Sequence, residues 1–293
     1  MSEIVDDVRR LELGLRRLVR DVLAGQYGSV FKGRGVEFAD VREYQFGDDI
    51  RTIDWTVTAR STTTYVRRYV EERELTVVLL VDRSGSDAFG SRVRSKARLA
   101  TEVCAVLALA AARNHDHIGL MLFTDRVEQY MAPAKGRRQA RRVLRELIAF
   151  EPTGRGTDLG AALAYADRVL RRRAVVFIVS DFVAPRGTYA RALDAVAARH
   201  DTIAVQLVDP RERELPDVGL LTVRDPESGQ WRTIDTGSAT VRSEYATRGA
   251  RFDAEVRRSL ERRGVDCIRL ETGRGYVAPL VAFFRRRERR QAR

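Results

Sequence analysis

The stretch TVVLLVDRSGS, Thr76–Ser86, decides the fold of this chain. It contains an unbroken apolar run, Val77–Val81, without the polar alternation of a half-exposed strand. Such a run is typical of a strand that is buried on both faces of a parallel sheet. Asp82, Ser84 and Ser86 follow the run directly. Because open α/β sheets bind ligands beyond the carboxyl ends of their strands, these oxygens are candidates for holding a small, hard cation.

The segments that follow residue 82 alternate between helical and strand patterns, which predicts an α/β fold with a mainly parallel central sheet and helices on both faces. Predicted helices cover 91–113, 137–150, 158–172, 189–199, 240–263 and 276–286, and predicted strands cover 118–123, 127–131, 175–180, 202–208 and 265–270. A polar hairpin is predicted across 219–235. Right-handed crossovers would place the carboxyl ends of the parallel strands at one edge of the sheet.

Residues 1–74 are predicted to form a smaller N-terminal segment with a helix and short strands. Apolar residues at steps of three and four in 1–24 indicate an amphipathic helix that packs on the body of the protein, with a partner helix or a membrane surface as alternatives. Residues 62–71 alternate like an exposed or edge strand. We interpret a mixed-charge cluster as a salt-bridged clamp, with a functional surface as the alternative. Its members are Asp48, Asp49, Arg51, Asp54 and Arg60.

The chain of 293 residues has 53 basic and 41 acidic side chains and a formal net charge of +12. This excess predicts acidic partners, whether protein, nucleic acid or lipid head group. Arginine runs lie at 171–173 and from 285 onward. Residues 75–286 are predicted to form the α/β domain, and residues 287–293 a basic tail that follows it. Aromatic residues are not interleaved with these runs, as binding to single strands would require. With no signal-peptide pattern and no apolar run long enough to span a bilayer, we expect a cytoplasmic protein.

The sequence motifs give little support for an enzymatic function. The DRSGS stretch lacks the G-x-S-x-G elbow of a serine hydrolase, and the chain has no P-loop pattern in its glycine-rich stretches. His115 and His117 lie where a helix gives way to a strand, so we interpret them as surface residues and not as metal ligands. The sequence therefore favours a non-enzymatic protein.

Three motifs occur in order along the chain. They are D-x-S-x-S at Asp82, Ser84 and Ser86, G-T-D at 156–158, and a strand-terminal Ser180 and Asp181. Together they resemble the metal-ion-dependent adhesion site of von Willebrand factor type A (vWA) domains. Ahead of them, Arg-Glu-Tyr at 42–44, Gly-Asp-Asp at 47–49, Ile-Asp-Trp at 53–55 and Ala-Arg at 59–60 resemble more narrowly the DUF58 family of bacterial proteins.

The resemblance implies a Rossmann-like vWA fold and a divalent cation held by five residues. These are Asp82, Ser84, Ser86, Thr157 and Asp181. Mg²⁺ is the first choice, since it takes about six oxygens and keeps some of its water, with Ca²⁺ and Mn²⁺ as alternatives. One departure is Asp87, where the family commonly has an apolar residue. We interpret it as a favourable charge at a helix start, with stronger cation binding through the extra carboxylate as the alternative. A further alternative is that Asp82 and Asp181 merely cap helices.

The function implied is protein–protein interaction, in which the cation captures an acidic residue of a partner. Family association further implies a MoxR-type AAA+ ATPase as partner, with the pair acting in the assembly of other complexes or in the insertion of metal into them. The alternative is a nucleic-acid-associated basic protein that uses its arginine-rich surface.

Overall fold

The computed structural model describes residues 2–19, 35–72, 74–85, 94–154, 156–184, 186–224 and 229–291. The helices are α1 Ser2–Leu18, α2 Trp55–Thr58, α3 Lys96–Arg113, α4 Gly136–Ala149, α5 Leu159–Val169, α6 Arg186–Arg199, α7 Ala239–Glu261 and α8 Val277–Gln291. The strands are β1 Gly35–Glu43, β2 Tyr65–Glu72, β3 Thr76–Asp82, β4 His117–Phe123, β5 Val127–Lys135, β6 Val175–Ser180, β7 Asp201–Val208, β8 Leu220–Arg224, β9 Trp231–Asp235 and β10 Asp266–Glu271. By contacts the chain divides into two compact units, one of residues 1–30 with 76–293 and one of residues 31–75.

In the smaller unit, β1 and β2 form an antiparallel pair. The acids of the mixed-charge cluster serve local structure here. Asp48 accepts two hydrogen bonds from the Arg42 guanidinium, at 2.6 and 2.8 Å. Asp49 caps the 3₁₀ turn Ile50–Thr52, and Asp54 caps α2 by accepting two backbone N–H groups. Of these acids, Asp48 forms a salt bridge, with Arg42 from outside the predicted cluster, whereas Asp49 and Asp54 act as caps. The clamp formed by the cluster as a whole stays a prediction.

The centre of the larger unit is a six-stranded sheet among the described residues, in the order β10-β7-β6-β3-β4-β5. All neighbouring pairs are parallel except β4 and β5. The predicted α/β architecture is therefore confirmed. The strand β3 lies between β4, which follows it in the chain, and β6, which comes later, so the strand order reverses at β3. Crevices at the carboxyl ends of strands beside such a reversal are where open α/β sheets bind ligands.

Helices cover both faces of this sheet. Val78 and Leu80 of β3 belong to a buried cluster with residues of α5, α6 and α7. Because side chains alternate along a strand, Val77, Leu79 and Val81 point to the opposite face, where α3 packs against β3 and α4 packs against β4. Burial on both sides explains why β3 has no polar position before Asp82.

The N-terminal helix α1 packs against α3 and α4. Val8 and Leu15 are buried, and Glu12 accepts a 3.0 Å hydrogen bond from Nε of Arg141 on α4. The predicted packing of this helix on the body of the protein is confirmed for Ser2–Leu18, whereas the rest of the predicted helix, to residue 24, lies almost wholly outside the described residues.

The edge strand β5 runs to Lys135, four residues beyond the predicted end. Its pairing with β4 shifts register between Ile118 and Leu120. At this irregularity a Cβ on Gly119 would lie 2.9 Å from Cγ of Pro133, so glycine is needed where the proline approaches the neighbouring strand. Proline in a sheet is typical of edge strands and bulges.

The last helix, α8, continues to Gln291 and so includes most of the predicted basic tail. Arg287 forms an ion pair with Asp201, and Arg290 lies 3.2 Å from Asp266. Two arginines of the run are thus paired within the protein. Among the helices of the described residues, none combines the length and the apolar character that a bilayer crossing requires.

Candidate functional site

Asp82 ends β3 at the reversal of strand order, and its carboxylate is fixed from two sides. Its Oδ1 accepts the backbone N–H of Ser84 at 3.0 Å, and its Oδ2 accepts the hydroxyl of Ser180 at 2.7 Å. Ser180 ends the neighbouring strand β6. Asp82 and Ser180 are 3% and 1% exposed, so the ends of two adjacent strands are joined in a buried polar contact. Asp82 does not cap α3, because the N-cap of that helix is Ser95.

Asp181 follows Ser180 and is also buried. Its Oδ1 accepts the N–H of Val183 at 2.9 Å, and its Oδ2 accepts Nζ of Lys96 at 2.6 Å. Burial, followed by the negative charge of Asp181, raises the pKa of Asp82 to about 6 against the hydrogen bonds from Ser180 and Ser84. The two carboxylates therefore share a poorly hydrated region in which a positive charge would be stabilised.

The remaining predicted ligands belong to the loop after β3 and to the loop before α5. Ser84 is buried beside Asp82, whereas Ser86 and Asp87 lie outside the described residues. Thr157 is half-buried in the turn before α5. The N–H of its neighbour Asp158 donates to the carbonyl of Thr124, just beyond β4, at 2.8 Å. The structure thus groups Asp82, Ser84 and Asp181 and places Thr157 on a turn at the end of the adjoining strand.

Glu128 on β5 holds the loop that leads to Thr157, a role that sequence reasoning missed. Its carboxylate accepts the N–H groups of Thr153 and Gly154, the hydroxyl of Thr153 and the hydroxyl of Thr124, at 2.6 to 2.9 Å for the shortest bond from each. Although burial raises the pKa of Glu128, the hydrogen bonds from Thr124, Gly154 and Thr153 lower it to about 2. No sequence motif marks this role, since Thr153 and Gly154 lie 25 and 26 positions from Glu128.

Lys96 is the second residue at the candidate site that sequence reasoning missed. Its side chain is 1% exposed, and Nζ lies 2.6 Å from Oδ2 of Asp181 and 2.5 Å from Oε1 of Glu212. Burial lowers the pKa of Lys96, but the charges of Asp181 and Glu212 outweigh it and raise the pKa. The sequence did not reveal this position, because the helix was predicted to begin at residue 91, whereas in the structure Lys96 is the first residue of α3. A cation there is unfavourable beside the helix dipole unless acidic groups surround it.

The buried network extends along the edge of the sheet beyond Lys96. Oε2 of Glu212 accepts the N–H of Asp209, which follows β7, at 3.0 Å. Oδ2 of Asp209 accepts the hydroxyl of Thr272, which follows β10, at 2.7 Å. Polar residues that follow β6, β7 and β10 are therefore connected through Lys96 and these carboxylates, and the hydroxyl of Ser180 joins the end of β3 to that of β6.

The donor set at this edge is chemically suited to a hard divalent cation. Carboxylate and hydroxyl oxygens are the ligands that Mg²⁺ takes in proteins, together with water. Burial, and after it the charge of Asp181, raise the pKa of Asp82 and so disfavour its ionised form. Within the described ranges, no group of three or more His, Cys, Asp and Glu side chains is arranged to hold a metal ion. A cation here would thus depend on Asp82, Asp181, the hydroxyl groups and water.

Solved structures with a similar fold are distant from this chain. The hypothetical protein BatB from Bacteroides thetaiotaomicron is 16% identical, with a TM-score of 0.47 over 73% of this chain and 99% of that one. The von Willebrand factor type A protein from Catenulispora acidiphila is 18% identical, with a TM-score of 0.36 over 64% of this chain and 44% of that one. Likenesses at this level do not bear on function.

Sequence relatives are closer. The uncharacterized protein Rv1480 of Mycobacterium tuberculosis is 34% identical over 284 residues, which are 96% of this chain and 89% of the relative. Residues 40–255 match the family described as "Protein of unknown function DUF58". This match spans both the smaller unit from residue 40 and the sheet edge that carries Asp82 and Asp181. The chain therefore belongs to the DUF58 family.

Proposed function

We propose that this chain is a non-enzymatic protein–protein interaction module that binds a divalent cation at the carboxyl edge of its sheet. The cation, Mg²⁺ in the first place, would capture an acidic side chain of a partner protein. The observation that supports this most is the pair of buried carboxylates, Asp82 and Asp181, at adjacent strand ends beside the reversal of strand order. Their mutual repulsion is the electrostatic condition that a bound cation relieves.

The chain's own residues supply the other requirements. Asp82 and Asp181 are held by hydrogen bonds to neighbouring backbone groups, so their oxygens are positioned before a ligand arrives. The hydroxyls of Ser84, Ser86 and Thr157 are proposed to complete the protein's donors, and because they are neutral they leave net positive charge on the ion. An acidic group from outside could then occupy an open position.

Family membership extends the proposal to a partner, a MoxR-type AAA+ ATPase, with the pair acting in the assembly of other complexes. The charge of the chain agrees with this, since a net charge of +12 attracts acidic protein surfaces. The cation would provide the specific contact, and the basic surface would accelerate the encounter.

The first experiment measures thermal unfolding of the full chain with and without Mg²⁺. A ligand that binds only the folded state raises the midpoint by mass action, so the wild type should gain stability with added Mg²⁺. Asp82→Asn, which keeps the shape but removes the charge, should lose this gain. Glu244→Gln, on an exposed carboxylate of α7, should keep it. An equal response of all three proteins would contradict the proposed ligand role of Asp82.

A second candidate, polyanion binding, is supported by the exposed face of α4. Its arginines 137, 138, 141, 142 and 145 are all exposed, although Arg141 also pairs with Glu12. The two functions respond differently to solution conditions. Binding to nucleic acid should fall steeply with salt and be indifferent to EDTA or Asp82→Asn. Binding to a purified MoxR-type ATPase should be lost with EDTA and with Asp82→Asn.

A further inference from the structure

We propose that Lys96 is an internal competitor for the cation at this edge and thereby sets the affinity of the site. The inference rests on the proposed function, since it concerns the same carboxylates. It adds a residue that none of the recognised motifs contains.

The first step of the argument is the burial of Lys96. An ammonium group that is removed from water requires ionic partners, and the two that Lys96 has within the described part of the chain are both carboxylates, at 2.6 and 2.5 Å. One of these partners, Asp181, is a proposed cation ligand. The positive charge of Lys96 therefore lies against the group on which a second positive charge would have to be placed.

The second step concerns the oxygens of Asp181. Oδ1 already accepts the N–H of Val183, and Oδ2 accepts Nζ of Lys96. A divalent cation that uses Asp181 must share the carboxylate with the ammonium group, at a distance where two positive charges repel strongly in a poorly hydrated site. Asp82, whose Oδ2 is bound by the neutral hydroxyl of Ser180, has no such competitor among these contacts.

The third step is that Glu212 gives Lys96 another partner. Oε2 of Glu212 is bound by the N–H of Asp209 within the turn Pro210–Glu212, so Oε1 stays in place beside Nζ. When Asp181 turns to the cation, Lys96 can remain paired with Glu212. The affinity for the cation should thus depend on how strongly the ammonium group pairs with Asp181 and how strongly it pairs with Glu212.

Two variants of the full chain test this dependence, because they should change the affinity for Mg²⁺ in opposite directions. Lys96→Met removes the competitor and fills a similar volume, so Mg²⁺ should bind about tenfold more tightly or better. The same variant should be less stable than the wild type without Mg²⁺, because Asp181 loses its partner, and should gain more stability on addition of Mg²⁺. Glu212→Gln removes the charge of one of these two partners, so Lys96 should pair more strongly with Asp181. Mg²⁺ should then bind more weakly.

Isothermal titration with MgCl₂, and the Mg²⁺ dependence of the thermal midpoint, provide the two readouts. Arg98→Met, which removes an exposed cation two residues further along α3, is the matched control and should leave Mg²⁺ affinity unchanged. If the wild type binds Mg²⁺ and Lys96→Met binds no more tightly, the inference is overturned while the proposed function stands.

The remaining outcomes separate the two proposals. If Lys96→Met binds Mg²⁺ and the wild type does not, the competitor role is supported and the proposed function of the native chain fails. If neither binds, both are overturned. Should Lys96→Met fail to fold, Glu212→Gln decides, and an affinity equal to that of the wild type would overturn the competitor role.

Discussion

The hydroxyl of Ser180 donates a 2.7 Å hydrogen bond to Oδ2 of Asp82 and joins the ends of β6 and β3. The hydroxyl oxygen of Ser180 also accepts the N–H of Phe182 at 3.0 Å. A single buried hydroxyl therefore satisfies a carboxylate and a backbone donor at once. This arrangement makes Ser180 a positioning residue for the candidate site, although the resemblance to vWA domains did not place it among the ligands.

Replacing Ser180 with alanine should leave both partners unsatisfied in a buried region. We expect a loss of about 1–3 kcal/mol in the free energy of unfolding, measured by urea denaturation at neutral pH. The control is Thr222→Ala on β8, which removes an exposed hydroxyl that lies 3.2 Å from that of Thr233. An exposed substitution of this kind should stay within about 0.5 kcal/mol of the wild type. Equal losses in both variants would contradict the role given to Ser180.

Glu128 gives the chain a defined acid sensitivity. Its pKa of about 2 in the folded state lies below the ordinary value of 4.5, so ionised Glu128 favours folding. This stabilisation is complete above pH 4.5 and is lost as the pH falls toward 2. Glu128→Gln should cost about 1–2 kcal/mol at neutral pH and should flatten the dependence of unfolding free energy on pH in this interval.

Glu151→Gln is the matched control for Glu128, because Glu151 is exposed and belongs to the same loop region. It should retain the acid sensitivity of the wild type. If Glu128→Gln and the wild type lost stability in parallel below pH 4.5, another carboxylate would be responsible.

Gly154 makes a close approach that its neighbour Gly156 does not. A Cβ at residue 154 would lie 2.3 Å from both Oγ1 of Thr124 and Oδ1 of Asp125. Thr124 is fully buried and bonded to Glu128, so it cannot readily move aside. Gly154→Ala should therefore destabilise the fold by about 1–3 kcal/mol and displace the loop that carries Thr157.

The control for this loop is Gly156→Ala. A Cβ at residue 156 would meet only Cβ of Asp125 at 3.7 Å, an ordinary contact. We expect little change in unfolding free energy, measured by chemical denaturation. If both alanine variants were equally stable, the description of the 153–157 loop would be wrong.

Two helical glycines should respond to alanine with opposite signs. A Cβ at Gly160 in α5 would lie 2.5 Å from the carbonyl oxygen of Thr188 in α6, a backbone atom, so Gly160→Ala should be destabilising by about 1–3 kcal/mol. Gly14 in α1 has no neighbour within 4 Å of such a Cβ. Gly14→Ala should stabilise the protein by about 0.5–1 kcal/mol, because alanine restricts the unfolded chain. Thermal unfolding of both variants checks the signs.

The sheet could be predicted from the sequence because its strands are buried on both faces. The run Val77–Val81 has the length and the valine content of a buried strand and is shorter than a typical helix, and β6 and β7 carry similar runs. The strand β1, in contrast, was not predicted. Its sequence GVEFADVRE belongs to a two-stranded sheet of the smaller unit, where charged residues are tolerated and the apolar pattern is weak.

In the candidate site, Asp82 and Asp181 could be predicted from the sequence. Each lies where a buried apolar run ends, and the end of such a run is visible in the local sequence. Lys96 and Glu128 could not be placed in the same way. The partners of Lys96 lie 85 and 116 positions away, and those of Glu128 include residues 25 and 26 positions away. Which side chains meet across such separations is determined by the tertiary fold and not by periodicity. The same reason hid the pairing of Arg287 in α8 with Asp201.

The proline at the irregular edge of the sheet has a consequence for the behaviour of the chain in concentrated solution. An edge strand with a regular row of free N–H and C=O groups can recruit a strand from another molecule, and such recruitment begins aggregation. Pro133 has no N–H to offer, and the register shift beside Gly119 breaks the regular spacing that an added strand would need. The edge formed by β5 is thus protected against growth of the sheet from one molecule into the next.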